Sequence, residues 1–103
     1  MEAIFRMLSS DVVVSIYFYK TEDGGRKLPT NPNQFPCIFS VNDKKHDCRL
    51  LLNEIGSISP GEYKTNVPIK FLCPELVLPK LTIGSKFYLW DMRNIAEGEV
   101  CYI

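Results

Sequence analysis

The chain has 103 residues, with 12 Lys and Arg against 12 Asp and Glu, and so carries no formal net charge. That length fits one domain of ordinary size and excludes a two-domain enzyme with its own cofactor domain. Hydrophobic residues at 46% and charged residues at 23% exclude a disordered chain, and the balance argues against a protein that lives on nucleic acid or an anionic membrane.

Met1 to Ser10 does not read as a signal peptide: Glu2 stands where a basic start is needed, and Arg6 breaks the apolar stretch. The one candidate helix is Ala3 to Leu8, and residues 1–11 are expected as a lead-in to a single domain over 12–103. The strongest apolar run, Val12 to Tyr19, is far short of the roughly 20 residues that span a bilayer. No membrane partner is expected, and the protein is placed in the cytoplasm. The run is β-branched and aromatic, which predicts a first strand covered on both faces.

Thr21-Glu22-Asp23-Gly24-Gly25 reads as a turn, because Gly accepts positive φ at no steric cost. Pro29, Asn31, Pro32 and Asn33 then keep the chain looped. A second strand is predicted over Pro36 to Val41, a polar turn over Asn42-Asp43-Lys44-Lys45, and a third strand over Asp47 to Leu52. Ser59-Pro60-Gly61-Glu62 is a tight-turn sequence. The fourth strand, Tyr63 to Leu72, sets Val67, Ile69 and Phe71 on one face and Lys64, Asn66 and Lys70 on the other. Pro68 predicts an edge position or a bulge there. Cys73 to Gly84 is a proline-interrupted connection. Lys86 to Asp91 and Glu97 to Ile103 are the last two strands, separated by a short loop around Arg93 and Asn94. Six short strands joined mostly by turns predict an all-β domain, a small antiparallel barrel or sandwich.

The residues offer little for catalysis. His46 is the only histidine, and it falls in a charged turn. Paired with Cys48 it has no third group to orient it, as nucleophilic catalysis requires. Gly24-Gly25-Arg26 lacks the spacing of a phosphate loop, so neither nucleotide nor cofactor is expected. Glu97 and Glu99 would share a strand face as solvated charges. Cys37, Cys48, Cys73 and Cys101 form no C-x-x-C pair, which disfavours a metal site. They are expected as reduced thiols packed as small hydrophobes.

A modest basic patch is the feature favouring nucleic acid. It contains Arg26, Lys27, Lys44, Lys45 and Arg49, against Asp43 and Asp47. It requires that the turn after the first strand and the turn before the third lie at one end. Trp90, Phe35 and Tyr88 could then stack on bases. Otherwise the cations are solvated and the aromatic rings pack the core.

One resemblance covers the chain from about Ser15 onward. Tyr17 to Pro36, with its acidic residue, Gly24-Gly25-Arg26, Lys27 and Thr30, is similar to the opening of the C-terminal β-barrel domain of bacterial elongation factor Tu. Phe39 to Asp43, Ser59-Pro60-Gly61-Glu62, Cys73-Pro74, Gly84 to Leu89 and Glu97-Gly98-Glu99-Val100 resemble later segments of that domain in the same order. The resemblance implies a six-stranded antiparallel barrel of the translation-elongation-factor C-terminal-domain type. It implies no chemistry, since the family's nucleotide site lies in another domain. In the family the barrel contacts tRNA and partner proteins. Arg26 and Lys27 match two of its basic positions, whereas Phe35 and Cys37 replace an arginine and a glutamine. Trp90-Asp91-Met92-Arg93 replaces a longer, more basic loop.

These readings converge on a non-enzymatic binding module with a protein partner, of an immunity or antitoxin kind or associated with translation. Candidate partner-binding residues are Arg26, Lys27, Lys44, Lys45, Trp90, Asp91 and Arg93. Trp and Arg are enriched at interface hot spots, though Trp90 at a barrel rim could equally serve packing. RNA or tRNA binding through Arg26, Lys27, Lys44 and Lys45 is the alternative.

Overall fold

The computed structural model describes residues 10–103, so the candidate helix Ala3 to Leu8 lies outside the described residues. Six antiparallel strands close into a barrel in the order β1-β4-β3-β2-β5-β6, with β6 pairing back onto β1. They are β1 (Val12–Phe18), β2 (Gln34–Val41), β3 (Lys44–Leu51), β4 (Tyr63–Phe71), β5 (Lys86–Trp90) and β6 (Asn94–Tyr102). Among the described residues no helix is long and apolar enough to cross a membrane.

Period-two alternation decides what fills the barrel. Val12, Val14, Ile16 and Phe18 of β1 point inward and are at most 1% exposed. Their neighbours Val13, Ser15 and Tyr17 are half-buried, so β1 is covered on one face rather than on both. Val67, Ile69 and Phe71 of β4 face the interior as predicted. At the centre, the Phe39 ring stacks on Phe87 at 4.4 Å and meets Phe71 edge-on at 4.9 Å.

Two predicted turns are shorter than expected. Only Asn42 and Asp43 form the β2–β3 turn, with φ of 51° and 63°. Two consecutive left-handed residues make the tight hairpin whose twist matches its strands, and Asn and Asp tolerate that conformation. Lys44, Lys45 and His46 therefore belong to β3 rather than to a turn. β6 likewise begins at Asn94. Leu89 pairs Ala96 while Trp90 pairs Asn94, so β6 carries one extra residue. That bulge buries both Ile95 and Ala96 and erases the alternation that would have marked the strand.

Pro68 does not lie at an edge, because β4 is flanked by β1 and β3. The bulge is real but sits just before it: two steps of β1, Val14 to Ile16, oppose three of β4, Val67 to Lys64. Asn66 takes φ of 56° there. The β3–β4 ladder runs only from Cys48↔Phe71 to Leu50↔Ile69, so Pro68 falls beyond its end.

The connections plug the barrel. After β4, helix α1 (Pro74–Val77) and a 3-10 turn (Leu78–Lys80) bury Val77 and, just beyond them, Leu81. At the other end, Thr30 is the one buried polar residue among those described. The Ile58 N–H donates to its Oγ1 at 2.9 Å, and the Thr30 N–H donates to the Ile58 carbonyl at 3.0 Å. In the Ser59-Pro60-Gly61-Glu62 turn Gly61 has φ of 87°, which suits glycine after proline. The Ser59 N–H donates to the Glu62 carboxylate and holds its pKa below the usual range.

Candidate binding surface

The structure separates the two basic turns. The chain from β1 enters β2 at Gln34, and the Asn42–Asp43 turn leaves it at Val41, so they lie at opposite ends of one strand. The single-end basic patch is thus not formed. Arg26 is half-buried and folded inward. Its guanidinium lies over the Phe35 ring at 4.7 Å and donates to the Leu28 carbonyl at 3.2 Å and to Asp91 Oδ2 at 3.3 Å. Arg93 reaches the Gly25 carbonyl at 3.5 Å. Arg26, Asp91 and Arg93 therefore tie the β1–β2 connection to the β5–β6 turn. Lys27 is exposed in that connection, and Lys44 is exposed opposite Val41 at the far end.

Lys45 does meet Trp90. Its Nζ sits 4.4 Å above the ring centroid, a cation–π contact on the outer wall. Trp90 is half-buried, and next to it the wall is concave. An open groove of about 730 Å³ runs across β4, β3, β2 and β5, lined by residues that include Pro36, Ile38, Asp47, Arg49, Lys70, Leu72 and Trp90. The registers lay these side chains out in rows. Lys70, Arg49 and Pro36 face one another across β4, β3 and β2. Asp47, Ile38 and Trp90 form the next row across β3, β2 and β5. The sequence places Lys70 on an outer face, and nothing local marks it, Pro36, Ile38 or Leu72 as parts of one site. Their outward positions follow from alternation, but their meeting follows only from the strand order.

His46 and Cys48 do not face one another as base and nucleophile. The Cys48 Sγ contacts the Cys37 Sγ at 3.6 Å inside the barrel. His46 Nε2 lies 3.4 Å from Lys80 Nζ, and burial together with that cation lowers its pKa. Glu97 and Glu99 share an outer face, as expected: the Tyr19 hydroxyl donates to Glu97 at 2.9 Å, and Lys86 pairs with Glu99. Burial first, and Glu97 second, raise the Tyr19 pKa. No group of His, Cys, Asp and Glu among the described residues could hold a metal ion.

The four cysteines divide. Cys37 and Cys48 are buried, while Cys73 and Cys101 are half-buried. The hydrogen bond to Cys48, together with burial, pushes the Cys37 thiol up, and a thiol without its thiolate does not react. Titration with a thiol-specific disulfide reagent at neutral pH should therefore label Cys73 and Cys101 quickly. Cys37 and Cys48 should be labelled only in denaturant. Rapid labelling of all four in the native protein would contradict this packing. Compared with known proteins, the chain matches no family model and no curated protein.

Proposed function

We infer that this protein is a non-enzymatic binding module whose partner is another protein, engaged through the wall around Trp90. The observation that carries the reading is the groove beside Trp90, a concavity outside the core with Pro36, Ile38 and Leu72 among its lining. Leu72 is 72% exposed. Aliphatic lining beside a half-buried Trp is the composition of a protein contact, where a central aromatic anchor is ringed by polar groups. A closed six-stranded barrel is compatible with the elongation factor Tu resemblance, and an immunity-like or translation-associated partner is the specific form that resemblance favours.

The RNA alternative is weaker on two counts. Arg26, its best-matched basic residue, is engaged by Asp91 and backbone carbonyls. Lys45 covers one face of the Trp90 ring, which a base would need for stacking. Two measurements test the reading together. Affinity capture from lysate with the wild type should recover a protein that Trp90→Ala fails to recover. Titration with tRNA at low salt should give no binding. Equal capture by Trp90→Ala, or salt-sensitive tRNA binding, would overturn it.

A further inference from the structure

Arg49 and Lys70 stand directly opposite each other on the outer wall. Like charges at facing positions of antiparallel strands repel and destabilise the pair. Neither cation forms an ion pair among the described residues. Arg49 instead donates to the neutral Gln34 Oε1 at 3.3 Å. Lys45 adds a third cation at the next edge of the groove, over Trp90. Of the two acids that line it, Asp91 is neutralised by Arg26, which leaves Asp47 alone. The net charge of zero thus hides a segregated wall: three cations and one free acid around a lining that includes Pro36, Ile38, Leu72 and Trp90.

We propose that this groove receives an acidic segment of a protein partner, with its carboxylates over Arg49, Lys70 and Lys45 and its apolar side chains on Ile38, Leu72 and Trp90. The proposal rests on the binding-module reading and adds the chemistry of the partner. A bound carboxylate removes the repulsion between Arg49 and Lys70, so binding relieves a cost that the free protein carries. The lining favours protein over nucleic acid, because Pro36, Ile38 and Leu72 offer carbon surface to aliphatic and aromatic side chains, and its one flat ring, Trp90, already carries Lys45 over a face.

The test follows from the facing cations. Lys70→Glu converts a repulsive pair into an attractive one, so the variant should melt about 1–6 °C higher than wild type. It should also bind more weakly. The probe is a short fluorescein-labelled peptide alternating Glu with Leu and Phe, with a Lys-for-Glu peptide as control and oligouridylate as competitor. Wild type should bind the acidic peptide, more weakly as salt rises, and should ignore the control. Lys70→Glu should lose about tenfold or more in affinity, and Lys70→Gln should fall between the two. Equal affinity for both peptides, or an affinity unchanged in Lys70→Glu, would overturn the proposal. So would displacement of the peptide by oligouridylate. If Lys70→Glu still captures the partner that Trp90→Ala loses, the acidic-segment proposal fails while the binding-module reading stands.

Discussion

Replacing Phe39 by Ala is expected to destabilise the fold by about 3–5 kcal/mol, the range for removing a fully buried aromatic ring. Phe39 is wholly buried and lies between Phe87, stacked at 4.4 Å, and Phe71, edge-on at 4.9 Å. Three strands, β2, β4 and β5, contribute these rings. The cavity left by the ring is therefore bounded by hydrogen-bonded strands on several sides, and the closed barrel cannot collapse into it. A domain of this size has only about 5–15 kcal/mol of total stability, so the loss is a large fraction of it. Urea unfolding followed by circular dichroism measures the effect. Phe39→Leu should cost less, because it removes less volume. A loss below about 1.5 kcal/mol for Phe39→Ala, within the range of volume-conserving swaps, would contradict this account of the core.

The second large effect is expected at Gly25, and it should exceed that at the adjacent Gly24. A Cβ on Gly25 would lie 2.0 Å from the Tyr19 carbonyl oxygen and 2.8 Å from the Lys20 carbonyl oxygen. Both are backbone atoms, so no rotamer change relieves the clash. The Gly25 N–H also donates to the Lys20 carbonyl at 2.9 Å, which holds the chain close. Gly25→Ala must push the connection off the end of β1, at about 3 kcal/mol or more. It should also move the adjacent Arg26 off Phe35 and Asp91. Gly24 has φ of 95° and open space around its Cα. Gly24→Ala therefore incurs only the backbone strain, about 1–2 kcal/mol. Thermal melting of the two variants side by side checks the order. A larger loss at Gly24 would reverse the argument.

The strand count and the inward face of β4 were legible because Val67, Ile69 and Phe71 alternate with Pro68 and Lys70. β1 was legible as a strand, but its single inward face was not, because the outward Val13 and Tyr17 are as apolar as the residues between them. The start of β3 has no sequence signal, because its first residues, Lys44, Lys45 and His46, are polar on both faces. Asn42-Asp43 was the signal for a two-residue hairpin, and it was masked by the lysines that follow. The start of β6 is hidden as well, because its bulge places Ile95 and Ala96 inside in succession. The candidate site was legible only in part. Trp90, Asp91, Lys45 and Arg26 do lie along one stretch of surface, linked by two contacts. That Arg26 turns inward depends on Asp91, far along the chain. That Arg49 faces Lys70 depends on the β3–β4 register. Neither arrangement has a local signature, since strand order and register are set by how the whole barrel packs.

The wall around Trp90 is proposed as a protein-docking surface. Trp90 is the only tryptophan in the chain, so its fluorescence reports on that wall without labelling. Acrylamide quenching of Trp90 should be measured in the free protein and in the complex with its captured protein partner. Fluorescence should be readily quenched in the free protein and markedly protected in the complex. Quenching that is the same in both states would contradict it.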